Sequence, residues 1–184
     1  IDSKLIAVEF PHLHLHSVAN AVDELSDCKQ GGLSALIDAM PCSSGRQVEK
    51  LFEISTLADI HIVVATGLHH DRYYGDLHWS NRVSVDTLTE LFVADVTIGI
   101  DRFDYTSPVI DRTNSRAGII KVATSGPNPD SRDLRNLEAV ANAHVATGAP
   151  VITHCEDGEG ALEQVAALNK YGVPSQSIIL SHVD

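Results

Sequence analysis

Short apolar runs alternate with segments of helical periodicity along this chain, and this alternation constrains the fold more than any other feature of the sequence. Each run is rich in β-branched residues, which is typical of strands buried on both faces of a parallel sheet. The six predicted strands cover residues 5–8, 33–37, 60–65, 117–122, 150–153 and 177–180. Helical spacing of apolar residues predicts helices at 18–28, 47–57, 85–98, 134–146 and 160–171.

Repeated β-α units imply right-handed crossovers and a parallel sheet, which is either an open doubly wound sheet or a closed eight-stranded barrel. The strands start about 30 residues apart, except where an insertion containing residues 67–82 follows the third strand. A barrel normally needs about 250 residues, and this chain stops directly after its sixth strand. We therefore expect residues 1–184 to form a single (β/α)8 TIM-barrel domain that is incomplete at its C-terminus, with about six β-α units present and the last two strands missing.

The charge balance excludes one class of partner. The chain has 13 Lys and Arg residues against 25 Asp and Glu residues, a formal net charge of −12, which argues against binding to nucleic acid. No apolar run approaches the ~20 residues of a membrane helix, and the N-terminal segment lacks a signal-peptide pattern. Cys28, Cys42 and Cys155 are far apart and odd in number, as expected of buried thiols in a reducing compartment. We expect a cytoplasmic protein with no membrane partner.

Potential metal ligands follow four of the predicted strands at their carboxyl ends, the face on which barrel enzymes carry their active sites. Residues two apart in an extended segment project to the same side, so two neighbouring histidines after the first strand can bind one metal ion. The candidate ligands are His12 and His14 (or, in the alternative register, His14 and His16), Lys121, His154 and His182. Any one of these residues alone favours a structural role, but four strand ends of one face together indicate a metal site.

Lys121 is the second-last residue of the fourth predicted strand. Taken alone, it is explained best as a cation that extends to solvent at the strand end, or as a phosphate contact. In surroundings of low dielectric constant, however, a lysine readily loses its proton. The free amine can react with carbon dioxide to give a carbamate, an anionic oxygen ligand that is able to bridge two metal ions.

The chain resembles the phosphotriesterase-like branch of the amidohydrolase superfamily from about Pro11 to its last residue. The matching stretches are 11–15, 64–68, 116–121, 147–151 and 181–184. The resemblance implies a (β/α)8 barrel, a homodimer and a centre of two divalent metal ions. His12 and His14 would bind the more buried ion, and His154 and His182 the more exposed one. Lys121, as the carbamate, would bridge the two together with a hydroxide.

Such a centre predicts a metal-dependent hydrolase. Two cations lower the pKa of a shared water and produce hydroxide at neutral pH, while the exposed ion polarises the substrate oxygen. We expect cleavage of an ester-type bond in a small molecule: a lactone, a phosphotriester or another phosphoester. Zinc is the expected metal, although manganese, cobalt and iron suit the same ligands.

The sequence departs from the family pattern at three places. Leu13 stands where the family commonly has Glu, and Leu68-His69-His70 stands where lactonase relatives often carry an aromatic residue that contacts substrate. The family also takes an Asp from the end of strand eight as metal ligand and proton shuttle. The chain stops two strands earlier, and Asp184 directly follows the strand-six histidine, so the catalytic residue stays unassigned.

The insertion after the third strand is expected to overhang the pocket, where loops usually determine specificity. His69, Tyr73 and Trp79 are its candidate substrate-binding residues. The alternative is that its aromatic residues only fix the loop to the barrel rim. Glu156, Asp157 and Glu159 lie just beyond His154, where they could contact substrate, but a solvated acidic turn is the favoured interpretation.

Two other readings stay open. Lys121 could form a Schiff base in an aldolase-like barrel with histidines as acid–base partners, which predicts no metal and inactivation by borohydride. The converging histidines disfavour this reading, because an imine-forming lysine does not need them. The chain could also be a binding protein that has lost its chemistry, a reading that Leu13 and His69 favour weakly.

Overall fold

Five strands and five longer helices alternate in the computed structural model, which describes residue 8 and residues 16–183. The strands are β1 (Ala35–Asp38), β2 (His61–Gly67), β3 (Ile119–Ala123), β4 (Val151–His154) and β5 (Ile178–Ile179). The helices are α1 (Val18–Gln30), α2 (Val48–Ala58), α3 (Val85–Thr97), α4 (Ser131–Thr147) and α5 (Ala161–Lys170). Short 3-10 helices lie at Asp71–Tyr73, Trp79–Arg82, Glu156–Gly158 and Ser175–Ser177.

The five strands form one parallel sheet in the order β1-β2-β3-β4-β5. Each strand lies next to its predecessor in the chain, and a helix precedes each of the strands. A doubly wound sheet would reverse its strand order at a switch point, whereas this sheet continues in one direction, as the strands of a barrel do. The predicted parallel β-α arrangement is confirmed, and β1 to β5 correspond to the second to sixth predicted strands.

The first predicted strand, residues 5–8, lies outside the described residues except for Val8. Val8 is helical and 80% exposed, so the prediction of a buried strand is wrong at that position. The candidate ligands His12 and His14 also lie outside the described residues. His16 is described and is exposed.

The two faces of the sheet have different roles. Ile120 and Val122 of β3 belong to the main hydrophobic core, in which α3 and α4 pack side by side. Ile119, the alternate residue, packs with Ala65 and Ile152 of the neighbouring strands in a separate cluster on the other face. That second face corresponds to the interior of a barrel.

β1 is more exposed than the predicted burial of the strands on both faces implies. All five residues of β3 are buried, as expected of a strand with neighbours on both sides. β1 alternates between exposed and half-buried residues, and Ile37 is 43% exposed. Within residues 16–183 the only strand beside β1 is β2, so the prediction of burial on both faces is wrong for this strand.

Local sequence explains where the helices begin and end. α4 begins at a capping box, in which the Asp130 side chain accepts hydrogen bonds from two backbone amides and the Asp133 side chain accepts one from the backbone amide of Asp130. It ends at Gly148 in the left-handed conformation. None of the helices in the described part of the chain is long and apolar enough to cross a membrane. Cys42 and Cys155 are buried free thiols, and Cys28 is half-buried.

Candidate metal centre

Lys121 lies in the middle of the sheet on its inner face. It is two residues beyond Ile119, and its register partners are Gly67 of β2 and Ile152 of β4. The residue is only 4% exposed. Burial lowers the pKa of the Lys121 ammonium below its ordinary value, because the charged form loses hydration.

The backbone of β2 approaches Lys121 closely at Gly67. A Cβ built on Gly67 would lie 1.9 Å from the carbonyl oxygen of Lys121, and Gly67 has a φ of +98°. The next amide, that of Leu68, donates a hydrogen bond to the same oxygen at 3.1 Å. Glycine is therefore required where β2 ends and its loop turns over the site.

Four imidazole rings gather at the carboxyl ends of β2, β4 and β5. His154 ends β4 and is the centre of the group, and its ring centroid lies 4.5 Å from that of His182 after β5. His69 and His70 follow β2, with ring centroids 4.8 and 4.9 Å from that of His154. His182 has a φ of 60°, an uncommon backbone conformation that is typical of functional sites.

The carboxylate of Glu156 contacts two of these rings. Its Oε2 lies 3.3 Å from Nε2 of His154 and 3.3 Å from Nε2 of His70. The contact with His154 has hydrogen-bond geometry. The contact with His70 does not, and Nε2 of His70 is a buried nitrogen without a hydrogen-bond partner.

Arg72 joins the loop after β2 to the loop after β4. Its Nη2 donates to both carboxylate oxygens of Glu156 at 3.0 Å, across 84 residues of sequence. These hydrogen bonds hold the pKa of Glu156 below its ordinary value. The carboxylate therefore stays ionised beside the histidines at neutral pH.

Burial keeps His69 and His154 neutral. Burial, together with the positive charges of a protonated His154 and of Lys121, lowers the pKa of His69 to about 2. Burial also lowers the pKa of His154 to about 4, although the hydrogen bond to Glu156 opposes this shift. Neutral imidazoles have a free lone pair, as metal ligation requires.

The loop after β2 contacts the site with its first residues and the core with its later ones. Tyr73 packs edge-on against His69, at a ring-centroid distance of 4.5 Å. The Tyr74 hydroxyl donates to the Cys42 carbonyl oxygen. Trp79 donates to Ser43 at 3.2 Å and packs against the main core. His69 thus belongs to the histidine cluster and Tyr73 borders it, whereas Trp79 anchors the loop. The assignment of these three residues to substrate binding stays a prediction.

Of the predicted ligand set, the structure brings the rings of His154 and His182 together beyond β4 and β5, and it places Lys121 in the middle of the adjacent strand β3. Two residues of the cluster are not among the predicted metal ligands: the sequence indicates His70 only as part of the loop, and Glu156 as a substrate contact or as part of a solvated turn. The available signal was a histidine next to another histidine after β2, and a carboxylate two residues beyond His154. The contact between His70 and Glu156 depends on the packing of the loop after β2 against the loop after β4.

The donor set fits the divalent metal ions that the sequence resemblance implies. Neutral imidazole nitrogens with a carboxylate oxygen are ligands of zinc and of related transition metals. The nitrogen of His70 without a partner is an independent sign, because buried polar atoms are normally satisfied. His70, His154 and Glu156 place one potential ligand atom each within 4.8 Å of one another.

Comparison with known proteins places the chain in a family. The sequence model of the phosphotriesterase family matches residues 1–184. A phospho-furanose lactonase of Mycoplasmopsis agalactiae is 31% identical over 179 residues, which cover 96% of this chain and 51% of the relative. An uncharacterized protein of Mycoplasma pneumoniae is 32% identical over 181 residues, which cover 97% of this chain and 52% of the relative.

A solved structure agrees with these relatives. The crystal structure of an amidohydrolase from Mycoplasma synoviae superposes with a TM-score of 0.88 at 29% identity, over 91% of this chain and 48% of that one. The chain thus spans about half the length of the curated relatives it matches. The expected fold class is confirmed: the described strands and helices are part of a TIM barrel of the amidohydrolase type. On the match along its whole length, the chain belongs to the phosphotriesterase family.

Proposed function

We propose that this chain carries part of the active site of a metal-dependent hydrolase that cleaves an ester-type bond, in a lactone or in a phosphate ester. The observation that carries the proposal is the placement of three predicted ligands on neighbouring parallel strands: Lys121 on β3, His154 at the end of β4 and His182 after β5. The rings of His154 and His182 lie 4.5 Å apart, and the charge of Lys121 acts on His154. Membership of the phosphotriesterase family supports it, as does similarity to a relative named phospho-furanose lactonase.

Each candidate ligand has a proposed place. His154 and His182 would hold the more exposed ion, and Lys121 would bind both ions as a carbamate. His12 and His14, which lie outside the described residues, would hold the more buried ion. Two such ions supply an activated water at neutral pH and polarise the substrate oxygen.

The residues of this chain prepare the site for that chemistry. Burial favours the free amine of Lys121, the form that can react with carbon dioxide. The same burial keeps His69 and His154 neutral. His69, within the cluster, and Tyr73, packed against it, would contact the substrate and exclude bulk water.

The Schiff-base alternative shares one of these observations, because an imine-forming lysine must also be a free amine. The surroundings of Lys121 favour the metal. Four imidazoles and the Glu156 carboxylate at the strand ends are a metal-ligand set, and none of them is needed to form an imine.

The test is made on the full protein, stripped with a chelator and then reconstituted with zinc and bicarbonate. Hydrolysis of a phosphorylated sugar lactone and of an aryl phosphotriester is measured before and after reconstitution. We expect activity on at least one substrate only in the reconstituted protein, and a loss of at least about 100-fold in Lys121→Met. The matched control is Lys170→Met, a change at the end of α5.

A second measurement isolates the carbamate. Protein reconstituted with 13C-labelled bicarbonate should show a carbamate carbon signal that is absent from Lys121→Met and present in Lys170→Met. Full activity in the chelated protein, or an imine trapped by borohydride at Lys121, would overturn the proposal and favour the Schiff-base reading.

A further inference from the structure

Three potential ligand atoms converge where the loops after β2 and β4 meet. Nε2 of His70 and Nε2 of His154 each lie 3.3 Å from Oε2 of Glu156, and the three residues each offer one ligand atom within 4.8 Å of the others. Neither His70 nor Glu156 belongs to the ligands that the family resemblance implies. Both come from loops, at positions where the sequence alone indicated no ligand.

The separations suit a metal ion. At metal–ligand distances of about 2.1 Å, two ligand atoms of a tetrahedral site are about 3.4 Å apart. The Glu156 oxygen is 3.3 Å from each of the two imidazole nitrogens. A set of two imidazoles and one carboxylate is also found in zinc and non-haem iron sites.

The unsatisfied nitrogen of His70 leaves an unfilled place between these groups. Its side chain is 3% exposed, and Nε2 faces the carboxylate of Glu156 at 3.3 Å without hydrogen-bond geometry. If Nε2 carries the proton, the buried N–H lacks an aligned acceptor; if it does not, a lone pair faces an anion. A metal ion between the two groups would resolve this mismatch, because it accepts a lone pair from Nε2 of His70 and one from the Glu156 carboxylate.

The outer contacts hold two of the ligands in place. The other ring nitrogen of His70, Nδ1, lies 3.2 Å from the hydroxyl of Ser125 in the loop after β3. Arg72 holds Glu156 through both oxygens, and a carboxylate has lone pairs left for a metal ion. Such outer hydrogen bonds orient metal ligands in known sites.

We propose that His70, His154 and Glu156 bind one divalent ion of the zinc type, with His70 and Glu156 as ligands provided by the loops. The inference deepens the proposed function, because it rests on His154 being a metal ligand there. The inference adds that this ion is bound without His12 and His14. Its ligands come from β4 and from the loops after β2 and β4, which the Arg72–Glu156 hydrogen bonds join.

The test uses the full protein, made metal-free with a chelator and titrated with cobalt(II) alone. The visible absorption of the bound ion reports ligand number and geometry, and mass spectrometry counts the ions per chain. The variants are His70→Ala and Glu156→Gln. Their matched controls are His78→Ala, a histidine of the same loop, and Glu159→Gln, an exposed carboxylate of the same turn.

We expect His70→Ala and Glu156→Gln each to weaken one cobalt site by at least about 10-fold and to change its spectrum, while both controls bind as the unmodified protein does. The double variant His12→Ala/His14→Ala should keep this site. Circular dichroism checks the fold, and His70→Gln replaces His70→Ala if the latter unfolds.

The outcomes separate this inference from the proposed function. If His70→Ala and Glu156→Gln keep the original affinity and spectrum while His154→Ala loses an ion, the loop ligands are refuted and the proposed function stands. If the unmodified protein binds no cobalt and no zinc with bicarbonate present, both are refuted.

Discussion

Single residues at the end of β2 determine how closely this strand approaches the lysine of the site. Gly67 pairs with Lys121 in the sheet and has a φ of +98°, so two separate constraints act on it. A side chain is disfavoured by the backbone conformation, and its Cβ would also collide with the Lys121 carbonyl oxygen. The two constraints can be separated, because Gly75 in the following loop has a φ of +74° and open space around it.

We predict that Gly67→Ala lowers the free energy of unfolding by at least about 2 kcal/mol, because strain and collision add. Gly75→Ala should lower it by only about 1 kcal/mol, since strain acts alone there. Urea denaturation of both variants measures the difference. Equal losses would show that the close approach to Lys121 does not limit this position.

The neutral histidines make stability depend on pH. The pKa of His69 is about 2 in the folded protein, because of burial, against about 6.5 when unfolded. As the pH falls below 6.5, His69 becomes protonated in the unfolded chain but not in the folded protein. The free energy of unfolding therefore decreases. Above pH 6.5 neither state is protonated, and the effect vanishes.

For the metal-free protein we predict that His69 contributes about 1–2 kcal/mol of destabilisation between pH 7 and pH 5. His69→Gln should flatten the dependence of the unfolding free energy on pH by that amount. His61→Gln, at the exposed start of β2, serves as the control. An unchanged pH dependence in His69→Gln would show that His69 is readily protonated in the fold.

Among the secondary-structure elements, α4 is linked at its N-terminus to the loop after β3, which contacts the candidate metal centre. Asp130 caps the helix, accepting from the amides of Arg132 and Asp133 at 2.8 Å. Asp133 is only 3% exposed, and its carboxylate also accepts from the amide of Ser125. Because the Ser125 hydroxyl lies beside His70, the cap and the candidate metal centre share one hydrogen-bonded chain.

We predict that Asp130→Ala lowers the free energy of unfolding by about 1 kcal/mol, the typical effect of losing an N-cap. The control is Asp86→Ala in the first turn of α3, where Ser84 provides the cap instead; there we expect less than about 0.5 kcal/mol. Thermal unfolding compares the two. A larger effect for Asp86→Ala would contradict the capping argument.

At the scale of the whole molecule, a buried ion network joins the loop after β1, strand β2, helix α3 and the segment before β3. Arg46 pairs with Asp95 and Asp104 at 3.1 Å, and its side chain is fully buried. It also donates to the carbonyl oxygen of Ala65 at 2.8 Å. Arg112 pairs with the other oxygen of Asp95 at 3.2 Å. Two cations balance two anions, so removing one leaves an unpaired charge in the interior.

We predict that Arg46→Met lowers the free energy of unfolding by about 3–5 kcal/mol, the typical effect of breaking a buried ion pair from one side. Arg102→Met removes a surface arginine that pairs with Glu49 and Asp111, and should change stability by less than about 1 kcal/mol. Urea denaturation tests both. Similar small effects would show that water reaches the network.

The order of strands and helices could be read from the sequence, because apolar periodicity is a local property of a buried strand or helix. The same reading placed Lys121, His154 and His182 on one face, since all parallel strands present their carboxyl ends to the same side. The exposure of β1 was not readable, because burial depends on which neighbours a strand has.

The contacts of the candidate metal centre were decided by tertiary structure alone. His70 and Glu156 meet because two loops pack against each other, and Arg72 joins them across 84 residues of sequence. Loops have no periodicity from which such a contact can be read, and charged residues in them are usually solvated. The sequence by itself therefore determined the β-α framework and the strand-end residues, whereas only the packing of the loops determined which further side chains reach His154.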